Sequence, residues 1–123
     1  GRVSVSSVKG TAVYGALFEH FVILETYRLI HYAEKPYRMY HWRSSHGAEV
    51  DMIIETADTL WAVEIKSSTN VRSGDLSGLK SFMKDYPMAE SLCVSTCDQP
   101  YAAGDVPVIP WKSLFRKDLL DIA

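Results

Sequence analysis

The 123 residues predict a mixed α/β fold in which a central sheet is flanked by helices, in the order α-β-β-β-α-β-β-α. Three observations lead there. Apolar residues recur at helical spacing over 11–32 and 75–86. They alternate at strand spacing over 48–55 and 60–66. Prolines, glycines and short polar runs separate these segments. The length suits one domain, and 47% hydrophobic residues supply enough material for a core, which argues against a disordered chain.

Residues 1–10 are small and polar and read as a flexible N-terminal segment; residues 11–123 form the domain. From Thr11 to Tyr32, Leu17, Phe18, Phe21, Val22, Leu24 and Leu29 recur at spacings of three and four, which gives one wide apolar stripe. Gly15 lies one turn before Glu19, where a missing side chain admits a close neighbour. Pro36 ends this pattern. Tyr37–Arg43 is aromatic-rich and strand-like, with Tyr40 and Trp42 expected in the core. Ser44–Gly47 is a turn. In Ala48–Glu55, Val50, Met52 and Ile54 face one way and Glu49, Asp51 and Glu55 the other. After a turn at Ala57-Asp58, Leu60–Lys66 alternates again, with Trp61, Val63 and Ile65 against Ala62, Glu64 and Lys66. Ser67–Gly74 is loop. Asp75–Tyr86 is a second helix with Leu76, Leu79, Phe82 and Met83 on its apolar face, stopped by Pro87. Leu92–Ser95 is a short strand, Gln99–Gly104 a loop and Val106–Ile109 a second short strand. Pro110 opens a last amphipathic helix carrying Trp111, Leu114, Phe115 and Leu119.

Charge and cysteine content narrow the function. Thirteen basic residues against fifteen acidic ones leave a net charge of −2, which excludes a broad basic surface for nucleic acid but not a local basic rim. Cys93 and Cys97 match neither a redox nor a zinc spacing, and reduced, structural thiols indicate a cytoplasmic protein. No stretch is long and apolar enough to span a membrane. There is no phosphate-binding glycine loop of the ATPase type, and the serines have no matched base and acid. His20, His31, His41 and His46 form no zinc-binding pair, and none is expected to be a ligand.

The chemistry follows from strand register. Both apolar sets must face a common core, so opposed residues in the two strands must carry numbers with an odd sum. A two-residue turn at Ala57-Asp58 sets Thr56 opposite Thr59, Asp51 opposite Glu64 and Glu49 opposite Lys66. Directly opposed side chains have Cβ atoms about 5 Å apart. Two carboxylates so close repel each other, and a divalent cation relieves the repulsion. Lys66 stands on the same face as Glu64. The pattern also fits a solvated hairpin carrying a Glu49–Lys66 surface pair. Against that, the acidic face carries none of the usual neutral filler residues, and the neighbouring helices suggest a covered sheet, where charges need partners.

The helix Gly15-Ala16-Leu17-Phe18-Glu19-His20-Phe21-Val22, then Glu49-Val50-Asp51, then Glu64-Ile65-Lys66-Ser67-Ser68, with the helix Asp75–Phe82 after them, resembles the PD-(D/E)XK nuclease superfamily. Within it, the chain is similar to the C-terminal nuclease-like domain of a group of prokaryotic AAA-type ATPases. The resemblance spans roughly residues 12–96. Val50 stands where the superfamily motif has proline.

The resemblance implies a restriction-endonuclease-like fold and a set of roles. Asp51 and Glu64 are metal ligands, Lys66 is the motif lysine, and Glu19 is the acid that the superfamily carries on its first helix. Glu49 is an accessory acid, and the cofactor is Mg²⁺ or Mn²⁺. The implied activity is phosphodiester hydrolysis, on DNA first and RNA second. The alternative is a non-catalytic nucleic-acid- or protein-binding module of a larger ATPase, whose motor precedes Gly1. Arg43, Arg72 and Lys80 are candidate phosphate contacts, and a homo-oligomer is compatible with the sequence. Outside both readings stands a structural oligomerisation domain with salt-bridged surface acids.

Overall fold

The computed structural model describes residues 11–123; the expected flexible segment 1–10 lies outside them. Helix α1 runs over Ala12–Tyr32, and the Thr11 hydroxyl caps it by accepting from the Tyr14 N–H at 3.1 Å. The strands are β1 (Arg38–Arg43), β2 (Glu49–Glu55), β3 (Leu60–Lys66), β4 (Glu90–Ser95), β5 (Tyr101–Ala103) and β6 (Val106–Pro110). A 3₁₀ turn at Ser73–Leu76 leads into helix α2 (Ser77–Asp85), and a second, Trp111–Phe115, follows β6.

The six strands form one mixed sheet in the order β1-β2-β3-β4-β6-β5. The pairs β1/β2, β2/β3 and β5/β6 are antiparallel; β3/β4 and β4/β6 are parallel. The connection from β3 through α2 to β4 is what a parallel pair requires. Helices cover both faces, as expected for an α/β fold. On one face Phe18, Val22 and Ile30 of α1 pack on Met52, Ile54, Val63, Ile65 and Val94, together with Leu114 and Phe115. On the other, Leu76, Leu79 and Phe82 pack on Val50, Ile53, Ala62, Cys93 and Val108. Both cysteines are free and buried, in keeping with a packing role.

The β2/β3 register is the expected one. Met52 faces Val63, Ile54 faces Trp61 and Glu55 faces Leu60, closed by the Thr56 N–H donating to Thr59 O at 2.9 Å. The strict alternation of β2 is not. Tyr40 faces Ile53 but Trp42 faces Val50, so β2 holds an extra residue opposite His41. This bulge turns Val50 to the α2 face, away from Met52 and Ile54. It also re-aims Asp51 toward α1.

Four further expectations are corrected. The α1 stripe is narrower than expected: the buried line is Phe18, Val22, Thr26 and Ile30, while Leu17, Phe21 and Leu24 stay exposed. Trp42 packs edge-on against Phe82 at 5.2 Å as expected, but Tyr40 remains half exposed. The loop 99–104 contains β5, an edge strand too short to show periodicity. The terminal helix is only a 3₁₀ segment. Arg116 is already extended (φ −68°, ψ 165°), and the chain folds back so that Leu120 N–H donates to Leu114 O and Ile122 N–H to Phe115 O. Those bonds occupy carbonyls that a continued helix would use.

Gly78 marks the tightest approach between layers. A Cβ built there would lie 1.9 Å from the Glu49 carbonyl oxygen, so α2 rests directly on the backbone of β2. Gly78→Ala is therefore expected to destabilise the fold by about 2–4 kcal/mol, read as a lowered urea midpoint with unchanged slope.

Candidate metal and active site

Asp51, Glu64 and Lys66 come to one place because the β2/β3 ladder stops there. Its last paired residues are Met52 and Val63. Beyond them side chains take over the bonding: the Asp51 N–H donates to Glu64 Oε1 at 3.3 Å, and the Ile65 N–H donates to Asp51 Oδ2 at 2.8 Å. Each acid thus anchors one oxygen on the opposite strand's backbone, and among the described residues its second oxygen has no backbone partner. Glu64 is buried, at 7% exposure.

The third acid arrives from α1. Glu19 lies one turn beyond Gly15, where an added Cβ would lie 3.4 Å from the Ser67 hydroxyl and meet no backbone of another segment. The carboxyls of Glu19, Asp51 and Glu64 form a chain within hydrogen-bonding reach, Asp51 in the middle. They line a cavity of about 340 Å³ with Gly15, Glu49, Ile65, Lys66 and Ser67.

Crowding of like charges is visible in the acidities. Burial, then the bond to Glu64, pushes Asp51 from 3.8 up to about 7. The bond to Asp51, then burial, pushes Glu19 from 4.5 up to about 7. Among the described residues no carboxylate forms an ion pair with Lys66. The Cys93 thiol, pushed up to about 12 by burial and then by Glu64, stays protonated.

The donor set suits a hard divalent ion: three carboxyls, all oxygen, with one buried. As arranged, no three His, Cys, Asp or Glu side chains among the described residues could hold a metal ion. Below about pH 7 a cation would compete with protons for Asp51 and Glu19.

The remaining candidates spread out. Glu49 lines the cavity but does not face Lys66 as expected; it pairs with Arg43, whose Nε donates to Glu49 Oε1 at 2.8 Å, and the two are in register across β1/β2. Arg43 therefore sits at the rim through Glu49. Arg72 is exposed and stands outside the cavity lining; its N–H donates to Asp75 Oδ2 at 2.9 Å. Lys80 donates to the Ser73 hydroxyl at 2.7 Å and, with Lys84, lines a separate cavity. Ser91 lines that cavity too, from the start of β4, whereas Lys66 pairs with Ser95 at its end, so Lys80 belongs to the opposite end of the sheet.

One residue not expected at the site joins it. His41 sits opposite the bulge, with Nδ1 3.5 Å from Asp51 O and Nε2 4.0 Å from Glu49 Oε1. Its charge, when present, lowers the pKa of Glu19. The signal lay in the odd register of β1 on β2, which no single-strand periodicity reveals.

Fold and site together define a mixed α/β domain with a partly buried carboxyl cluster and an adjacent lysine at a gap between strands. The chain belongs to the family described as a domain of unknown function, DUF4143, whose model matches residues 14–114. No curated protein matches the chain. Among the described residues no helix is long and apolar enough to cross a membrane.

Proposed function

We propose that this domain is a PD-(D/E)XK-type, Mg²⁺- or Mn²⁺-dependent phosphodiester hydrolase acting on DNA. The observation that carries the reading is the carboxyl chain Glu19–Asp51–Glu64 beside Lys66 in one cavity. Asp51, Glu64 and Glu19 hold the cation. Bound there, Mg²⁺ supplies Lewis-acid activation of a phosphoryl oxygen and a more acidic water. Lys66 orients the attacking water and offsets charge developing on the phosphate. Backbone bonds from Ile65 and Asp51 fix the two strand acids before substrate arrives. In the ATPase setting that the motifs resemble, the domain would follow a motor in the same chain.

A second reading is a binding module without turnover. The exposed apolar side of α1, with Val13, Leu17 and Leu24, favours it as a docking face.

Plasmid nicking in Mg²⁺ or Mn²⁺ decides between them. The wild type is expected to nick, and Asp51→Ala to lose both nicking and calorimetric Mn²⁺ binding. Nicking that survives in Asp51→Ala, or wild-type protein that binds no divalent ion, removes the hydrolase reading.

A further inference from the structure

Beside the carboxyl cavity runs a second hollow of about 400 Å³, lined by Leu24 and Tyr27 of α1, Met39 and His41 of β1, and Asp51 and Met52 of β2. Asp51 lines both hollows, so the two adjoin at that residue. The β2 bulge creates the junction: its two residues, Asp51 and Met52, form part of this wall. We infer that this groove receives an unstacked nucleobase next to the phosphate held at the carboxyl site, so that the substrate is single-stranded or locally splayed nucleic acid.

The inference rests on the hydrolytic reading of the neighbouring cavity and names its substrate class. Besides the tyrosines Tyr27 and Tyr40, the groove's ionisable lining is His41 and Asp51, with no lysine or arginine to pair with a phosphate. Its walls are otherwise apolar, and Leu24 and Tyr27 are 52% and 53% exposed there. The Tyr27 ring is steadied by His31, 4.2 Å away between centroids, which prepares a flat surface for stacking. A polymer with an anionic backbone and planar apolar side groups matches this division: phosphate at the carboxyl site, base against Tyr27. Duplex DNA keeps its bases paired and stacked, and a base must leave the stack to enter such a pocket.

Fluorescence anisotropy with a labelled oligonucleotide in Ca²⁺, and cleavage of the same strand in Mn²⁺, test this. The single strand is expected to bind at least about tenfold tighter than the duplex of identical sequence. Abasic sites in the strand, or Tyr27→Ala, are expected each to weaken binding about tenfold, the range that base–aromatic stacking gives. The abasic strand leaves the protein unaltered, so misfolding of the variant cannot imitate the effect. Equal binding of duplex and single strand, with no loss on the abasic strand, overturns the inference while cleavage keeps the hydrolase reading. Single-strand binding through Tyr27 without cleavage supports the groove and removes the hydrolysis. No binding of either nucleic acid, or a sedimenting dimer broken by Tyr27→Ser, overturns it and gives the groove to a second copy of the chain.

Discussion

Replacing Lys66 by methionine is expected to lower the cleavage rate by about 10²–10⁴-fold, the usual range for a positioned acid–base group, while leaving divalent-ion binding intact. The side chain lines the acid cavity, and among the described residues no carboxylate forms an ion pair with it. Methionine keeps an unbranched, flexible side chain and removes the ammonium, so the loss reads mainly the charge. Removing a positive charge from beside three carboxyls tightens cation binding if it changes it at all. Single-turnover cleavage together with Mn²⁺ calorimetry reads both quantities. A loss below about tenfold would take Lys66 out of the chemistry. Lys66→Arg is expected to recover little, because a planar guanidinium does not replace a compact ammonium at a water-sized site.

The second large effect concerns stability. Asp51 and Glu19 titrate at about 7 in the folded chain, against 3.8 and 4.5 as ordinary carboxyls. Between those values the folded chain binds more protons than the unfolded one, so stability falls as pH rises from about 4 to about 7 and stays low above that. Asp51→Asn removes the central charge and can keep the bond from the Ile65 N–H through its amide oxygen. It is expected to stabilise the metal-free protein at pH 8 by roughly 2 kcal/mol. That is about half of what the full Asp51 shift would give, because the cavity is open to solvent and neighbouring acids share the repulsion. At pH 4 the gain disappears, since Asp51 is then protonated in both states. Urea titrations at the two pH values measure it, and a gain that does not change with pH refutes the electrostatic origin. Adding Mn²⁺ at pH 8 is expected to raise the melting temperature of the wild type and not of Asp51→Asn.

Register was the most legible part of the sequence. The odd-sum rule placed Asp51 near Glu64 because a two-residue turn and two apolar faces leave little freedom to slip. The rule described a pair of continuous strands, whereas the ladder ends at Met52 and Val63 and the acids face a gap. The bulge at Asp51 and Met52 was not legible, because it is a property of the pairing with β1. For the same reason His41 was set aside and Glu49 was given Lys66 instead of Arg43 as its partner. On α1 the sequence shows that Leu17, Phe21 and Leu24 are apolar but not which of them the sheet covers; only the line through Phe18 and Val22 faces it. The end of the chain is not a helix because Leu114 and Phe115 bury equally well from a 3₁₀ turn, and backbone bonds fold the chain back onto that turn.

β3 runs against its neighbour β2 on one side and along with its neighbour β4 on the other, as β6 does between β5 and β4. It is the boundary between the β1/β2 hairpin side of the sheet and the crossover side that holds β4. Asp51 stands on β2 and Glu64 on the boundary strand itself, so the twist between β2 and β3 sets the aperture between the acids. The spacing offered to an ion is then a property of the whole sheet's curvature, and load applied at an outer strand would be felt there as a change in fit.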